Sequence, residues 1–420
     1  MSRRRPPRRA SRPATAGPRV PEPARRPLVL GRGLTAAAGA GVAAVVLGLV
    51  VFVATRPEAP ASIRRRAEAA STRKDWGEAL TLWRRVNAST AATASTWAEE
   101  GRACLALGRA AQGEEALRRA TELDPRPERP WVLRLEMLRV EDRWPEIEAV
   151  GRQALEGVAP EGRAAVLREL TLAVLSDLPD DLARDTLKKW SAADPDDYEA
   201  ETALLRRIAA DPRSDDLDRS TRLARLEAIV AAHPDRAGPR EALAGLLADG
   251  GDVDRGRAVL DAWPESARDS RYDRLRGRWD LDYDGRPAEA LEAFRRALTT
   301  APHDWRTHYR LTRALTALGR RDEAEAEAKT TARIREALDP MTFGPAIEDA
   351  LSKIDRPGAR AILADACARV GLNRLAAAWR EPLQPTSEAP SPAGRGAWSE
   401  PAHNSLTPSI QGEGGREAAG

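Results

Sequence analysis

One spacing returns along this chain. Gly251, Gly285 and Gly319 stand 34 residues apart, Trp97 and Trp131 do the same, and Pro234 and Pro302 are separated by 68. A fixed period of this length, with two apolar-periodic segments each time, marks a stack of small helical units in which no unit buries its apolar face alone. Cut on that ruler, the chain gives blocks beginning near 60, 94, 128, 164, 203, 237, 271 and 305, with extra residues around 162–163 and 198–202. Composition argues against a sheet and leaves a generic helical bundle as the alternative. Only three Phe and four Tyr occur in 420 residues, and alternating β-branched runs are nearly absent, so a sheet has little to be built from.

Block 271–304 shows the logic of one unit. Its first segment, "RYDRLRGRWDLDY", ends near Gly285, where a residue tolerating positive φ is wanted. The second, "PAEALEAFRRALTTA", opens with Pro287 in the first helical turn and sets Ala290, Leu291, Phe294, Ala297 and Leu298 on one stripe. Small Ala290 and Ala297 admit a neighbouring helix, Phe294 fills the gap, and Pro302 stops the segment.

At these residues the chain resembles the tetratricopeptide repeat family. Block 94–127 carries Trp97, Gly101, Gly108, Leu117, Ala120 and Pro125 at family positions, with Gly113 where Ala is usual. Block 271–304 carries Gly285, Ala290, Phe294, Ala297 and Pro302, but has Arg274 and Arg278 at the early positions. Blocks 305–338 (Gly319, Ala324) and 60–93 (Ala79, Trp83) keep part of the pattern, and blocks 164–197 and 203–236 are degenerate. The resemblance covers about 62–338, roughly eight repeats. It implies an all-α fold, a right-handed superhelical solenoid of helix-turn-helix repeats, with helices over 339–383 capping the last apolar face. It also implies a non-catalytic scaffold binding a protein or peptide on its concave face; the alternative is an accessory subunit of an envelope machine serving secretion, cytochrome maturation or envelope assembly. In this family, positions 2, 5, 9 and 12–13 of each first helix face the groove. In the last two blocks those positions and a neighbour give Tyr272, Leu275, Trp279 and Tyr283, then Arg306, Tyr309, Arg310 and Arg313. Aromatic and Arg residues together are the usual makings of an interface hot spot, and Arg suits an acidic or carboxylate-bearing peptide. Packing of Trp279 and Tyr309 between repeats is the competing reading.

The chain before the repeats has a different character. Residues 1–33 carry ten arginines against one acid, Glu22, a local +9 that leaves −6 for the rest of a chain totalling +3. The body is therefore mildly acidic, and no nucleic-acid partner is expected. Residues 34–54, "LTAAAGAGVAAVVLGLVVFVA", form 21 uncharged positions, enough to cross a hydrocarbon core of about 30 Å. A single transmembrane helix is expected there, with a cleaved signal peptide ending near Ala59-Pro60-Ala61 as the alternative. The basic arm places the N-terminus in the cytoplasm and the repeats outside it, as in a periplasm. The nearer flanks count the other way, since Arg56, Arg64, Arg65, Arg66, Arg73 and Lys74 outnumber Arg19, Arg25, Arg26 and Arg32. Ala36, Ala40, Ala44 and Gly48 recur every fourth residue, a spacing through which the span could form a homodimer. Residues 55–61 read as a linker, and 384–420, rich in Pro, Ser and Gly, as a disordered tail. An excess of Arg, Ala and Gly over Lys suggests a GC-rich bacterial genome.

No catalytic or cofactor site is expected. "DLDYDG", residues 280–285, opens like a calcium loop, but its twelfth position is Leu291 in place of the bidentate Glu that supplies the main ligand. His233, His303, His308 and His403 show no ligand spacing, and neither a phosphate loop nor a nucleophile elbow is present. Cys104 and Cys367 fall in distant blocks of an array expected to touch only near neighbours, so two buried, unpaired thiols are expected.

Overall fold

The computed structural model describes residues 58–175, 180–210 and 217–383, all but Glu58 in a compact unit that begins at Ala59. The basic arm, the apolar stretch 34–54 and the tail 384–420 lie outside the described residues. Among those described, no helix is long and apolar enough to cross a membrane.

The described chain is helical with no strand. Helices come in consecutive pairs: α1 Pro60–Thr72 and α2 Trp76–Asn87, α3 Ala94–Ala106 and α4 Ala110–Leu123, α5 Glu128–Val140 and α6 Trp144–Gly157. Then follow α7 Arg163–Leu175 and α8 Asp180–Ala193, α9 Tyr198–Ala210 and α10 Arg219–Ala232, α11 Ala237–Asp249 and α12 Val253–Asp261. The series ends with α13 Ser270–Asp282 and α14 Pro287–Thr300, α15 Trp305–Ala317 and α16 Arg321–Ala337, and three further helices, α17 Pro340–Ser352, α18 Pro357–Arg369 and α19 Asn373–Arg380.

Local chemistry sets these limits. The Asp75 and Asp218 carboxylates accept from the amides of Glu78 and Thr221 at the starts of α2 and α10. Thr93 and Thr96 bond each other's amides in a reciprocal cap on α3. Between the helices of a pair the backbone turns through the left-handed region at Gly108, Gly251, Gly285 and Gly319, with φ between 61° and 80°. Lys74 and Asp142, 34 residues to either side of Gly108, take φ of 60° and 54° without being glycine. The period is thus longer than glycine alone reveals. Within a pair, close approach needs small residues: a Cβ on Gly277 would sit 2.6 Å from the Phe294 ring, and one on Gly101 2.6 Å from Leu117 Cγ.

Two features depart from a simple 34-residue ladder. The fifth pair begins at Tyr198, not 203, because the buried Asp197 carboxylate caps α9 through the Ala200 amide (3.1 Å) and also takes the Ala111 amide of α4 (2.9 Å). Residues 198–202 are therefore helical, and the added length falls between α9 and α10.

The second departure is larger. α17 to α19 do not only cover the end of the array, where Val370 meets Ile334 and Ala337 of α16. They also pack on α7, so that Leu363, Cys367, Ala376 and Trp379 share one core with Val166, Leu167 and Leu170. The Trp379 indole N–H donates to Thr171 Oγ1 at 2.9 Å. The sequence of α7, "RAAVLRELTLAVL", explains this: it is apolar around most of its circumference, so packing on α5 and α6 leaves a second face to cover. An array touching only its neighbours is not what forms. Cys367 is buried at this junction and Cys104 in the first pairs' core; both are unpaired, and burial pushes the thiols up to about 12 and about 11.

Candidate functional site

The expected groove residues divide according to where their helices begin. α15 starts at Trp305, since the Asp304 carboxylate accepts from the amides of Arg306 (3.1 Å) and Thr307 (3.2 Å). α13 starts at Ser270, capped by Asp269 through the Arg271 amide at 2.9 Å, one residue before the 271 boundary that the period implies. A residue of phase is about 100° of rotation on a helix. Positions 2, 5, 9 and 13 of α13 are then Arg271, Arg274, Arg278 and Asp282, and the assignment of Leu275 and Trp279 to a groove is overturned. Trp279 is wholly buried against Gly256, with its indole N–H on Val253 carbonyl at 3.3 Å, and Leu275 shares the same core with Trp263. Tyr272 is half-buried, its ring edge-on to Trp263 at 5.5 Å and under the Arg268 guanidinium at 4.6 Å. Tyr283 ends α13 with its ring 5.5 Å from Trp279. None of these four lines either of the two cavities described below.

The residues of α15 do. Arg306, Tyr309, Arg310 and Arg313 line one open cavity of about 300 Å³ together with Trp305 and, from α13, Arg278 and Asp282. Arg313 pairs with Asp282 at 2.8 Å, and Arg278 pairs with Asp249, outside the cavity, at 3.0 Å. Arg306 lies over the Trp305 ring, 4.8 Å from its centroid, with no carboxylate partner among the described residues. Arg310 is half-buried and makes no hydrogen bond or ion pair among them. Burial, and then the nearby Arg278 charge, pull its pKa below that of an ordinary guanidinium. Tyr309 is 54% exposed at the rim. The cavity is therefore cationic, edged by aromatic surface, and holds in Arg310 a guanidinium that forms no ion pair among the described residues.

Arg278, Asp282 and Trp305 were not among the expected site residues. The signal for the first two was the pair Asp269–Ser270, an N-cap that dates the start of α13 more reliably than the spacing of glycines.

A second, smaller cavity of about 70 Å³ lies where α6, α9, α11 and α13 to α15 meet. Its charges balance: Arg206, Arg271 and Arg274 face Asp142, Glu241 and Asp304. Arg274 pairs with Glu241 and, at 3.3 Å, with Asp304; Arg271 reaches Glu146 at 2.9 Å; and Arg206 donates to the Glu141 carbonyl at 2.6 Å. The Trp144 indole N–H donates to the Thr300 carbonyl at 3.0 Å, and its ring meets His303 edge-on at 4.2 Å. The chain fills this stretch with its own side chains. The cavity on α15, by contrast, is open.

His303 gives this junction a pH signature. Burial pushes its pKa down to about 4, so the folded state prefers the neutral ring while the unfolded chain takes a proton near 6.5. Stability is accordingly lost as pH falls from about 6.5 towards 4, by up to about 3 kcal/mol. The urea midpoint of the native protein should drop more steeply over that range than the midpoint of His303→Gln. Parallel slopes would show that His303 does not carry the effect.

The calcium-like acids are engaged elsewhere. Asp280 is buried and pairs with Arg286 (2.6 Å) and Arg276 (3.1 Å), and Asp284 pairs with Arg257 and Arg286. These carboxylates brace the turn between α13 and α14.

Sequence profiles of the tetratricopeptide repeat match residues 94–127 in one case and 220–278 and 283–336 in another. The chain carries tetratricopeptide repeats. No curated protein matches it. Among solved structures, it resembles a tetratricopeptide repeat protein from Parabacteroides merdae, at 13% identity over 61% of this chain and 98% of that one, with a TM-score of 0.30. It also resembles the Cut9–Hcn1 hetero-tetramer of APC/C, at 15% identity over 72% and 58%, with a TM-score of 0.37. A third is the human IFIT1 dimer with PPP-AAAA, at 17% identity over 74% and 64%, with a TM-score of 0.29. The chain spans less than two thirds of the length of these last two. Superpositions this loose say nothing about its site or partner.

Proposed function

We propose that this repeat protein is a non-catalytic scaffold that holds an acidic segment of a partner protein in the cavity on α15, and that residues 34–54 tether it to a membrane with the arm in the cytoplasm and the repeats outside. Tetratricopeptide repeats suggest a protein-binding scaffold. The observation that carries the site is the convergence of Arg306, Tyr309, Arg310 and Arg313 on one open cavity while the neighbouring inner surface is filled by its own ion pairs. Arg guanidinium groups take carboxylates in forked pairs, and Trp305 and Tyr309 offer flat apolar surface beside them. The tether rests on the length and apolarity of 34–54 and on the charge of the arm.

A photo-crosslinking residue in place of Tyr309, in the full chain in its own cells, tests the reading. One polypeptide should be trapped in constant ratio to the scaffold, and the adduct should weaken several-fold when Arg313→Ala is added. A crosslinker at the exposed Met341 should not trap it. Equal trapping from both positions would remove the cavity as the binding site. A reporter active only outside the cytoplasm, fused after Arg380, reads the topology, and activity of a cytoplasmic reporter there would reverse it.

A further inference from the structure

The charge arrangement on α15 points to more than a carboxylate: we propose that this cavity takes a phosphate monoester, carried on a phosphorylated side chain of the partner protein. This rests on the reading of the cavity as a protein-binding site. Four guanidinium groups and one carboxylate line it. Asp282 is already committed to Arg313, and Arg278 leans out to Asp249. Neither Arg306 nor Arg310 forms an ion pair among the described residues; Asp282 and Asp304 lie near enough to Arg310 to favour its charge, but less than burial and Arg278 oppose it.

A glutamate or aspartate carries one charge and two oxygens. Bound here, it would satisfy one guanidinium and leave the other exposed to its like-charged neighbours. A phosphate monoester carries about 1.5 to 2 negative charges near neutral pH and three acceptor oxygens, enough to engage both. A phosphodiester, as in a nucleic-acid backbone, carries one charge and fits no better than a carboxylate. The volume, about 300 Å³, accommodates a phosphorylated side chain, with Trp305 and Tyr309 placed to contact the flanking residues. Arg310 matters most, because it is half-buried and unpaired among the described residues; an incoming dianion would lift the penalty of holding its charge there.

The test uses the full chain in detergent and three probes: N-acetyl-Ala-phosphoserine-Ala amide, the same peptide with Glu for phosphoserine, and dimethyl phosphate. The phosphopeptide is expected to bind at least tenfold more tightly than the glutamyl peptide, and dimethyl phosphate to compete poorly. Arg310→Gln and, separately, the more exposed Arg306→Gln should each erase most of that tenfold preference, while Arg320→Gln, in the turn between α15 and α16 and outside the cavity lining, preserves it. Since Arg310 makes no hydrogen bond or ion pair among the described residues, its variant should melt as the native chain does. Equal affinity for the two peptides would overturn the phosphate proposal and leave the acidic-peptide reading standing. Strong competition by dimethyl phosphate, or a phosphopeptide preference untouched by either variant, would also overturn it. No binding of either peptide would remove both readings.

Discussion

Trp279→Ala should cost the folded state about 3–5 kcal/mol, whereas Arg313→Ala should leave melting nearly unchanged and reduce partner capture. The two residues lie on the first helices of successive pairs and were expected on the same surface, yet the structure gives them opposite roles. Trp279 fills the gap made by Gly256, so truncation opens a cavity that backbone atoms on both sides cannot readily close. Arg313 is about half exposed and loses only a surface pair with Asp282, worth under about 1 kcal/mol. Urea denaturation and capture of the crosslinked partner, measured on both variants, separate the cases. Should Arg313→Ala lose stability in step with Trp279→Ala, Arg313 would be structural and the cavity on α15 would lose its claim to be the site.

The difference between those two residues also marks what the sequence could reveal. Gly251, Gly285 and Gly319 keep a strict 34-residue step, and the helix pairs around them follow it. The step hides a compensation inside the seventh pair. α13 begins one residue early, and the turn after it is one residue longer, so Gly285 returns to register while the helix between is rotated by about 100°. That rotation exchanges Tyr272, Leu275 and Trp279 for Arg271, Arg274 and Arg278 on the inner face. In α15 the boundary and the period agree, and the positions that the family resemblance implies, with Arg310 beside them, fall on one cavity. Lys74 and Asp142 show the reverse failure: the left-handed turn recurs in phase, but side chains other than glycine conceal it. The docking of α17 to α19 on α7 was out of reach for a different reason. Periodicity reports which face of a helix is apolar; it cannot say which distant helix will cover a second apolar face.

That docking makes the second large effect. Trp379→Ala should destabilise the protein by about 3–5 kcal/mol and should do so far from its own position in the chain. In an array whose units touch only their neighbours, damage to the last helix frays the last unit and little else. Here Trp379 is wholly buried, and its indole N–H is the partner of Thr171 Oγ1 in the middle of the array. Truncation removes the ring's packing on α7 and takes away the indole donor that the buried Thr171 oxygen accepts. Hydrogen exchange read by segment is the decisive measurement. Protection should fall in α7, over residues 163–175, together with α18 and α19, while the first helix pair, whose core is separate, keeps its own. If exchange quickens only after residue 338, the C-terminal helices are an end cap and nothing more. If α7 opens with them, the middle and the end of the chain fold as one unit, and the cavity on α15 is held in place by contacts that reach back to the third and fourth pairs.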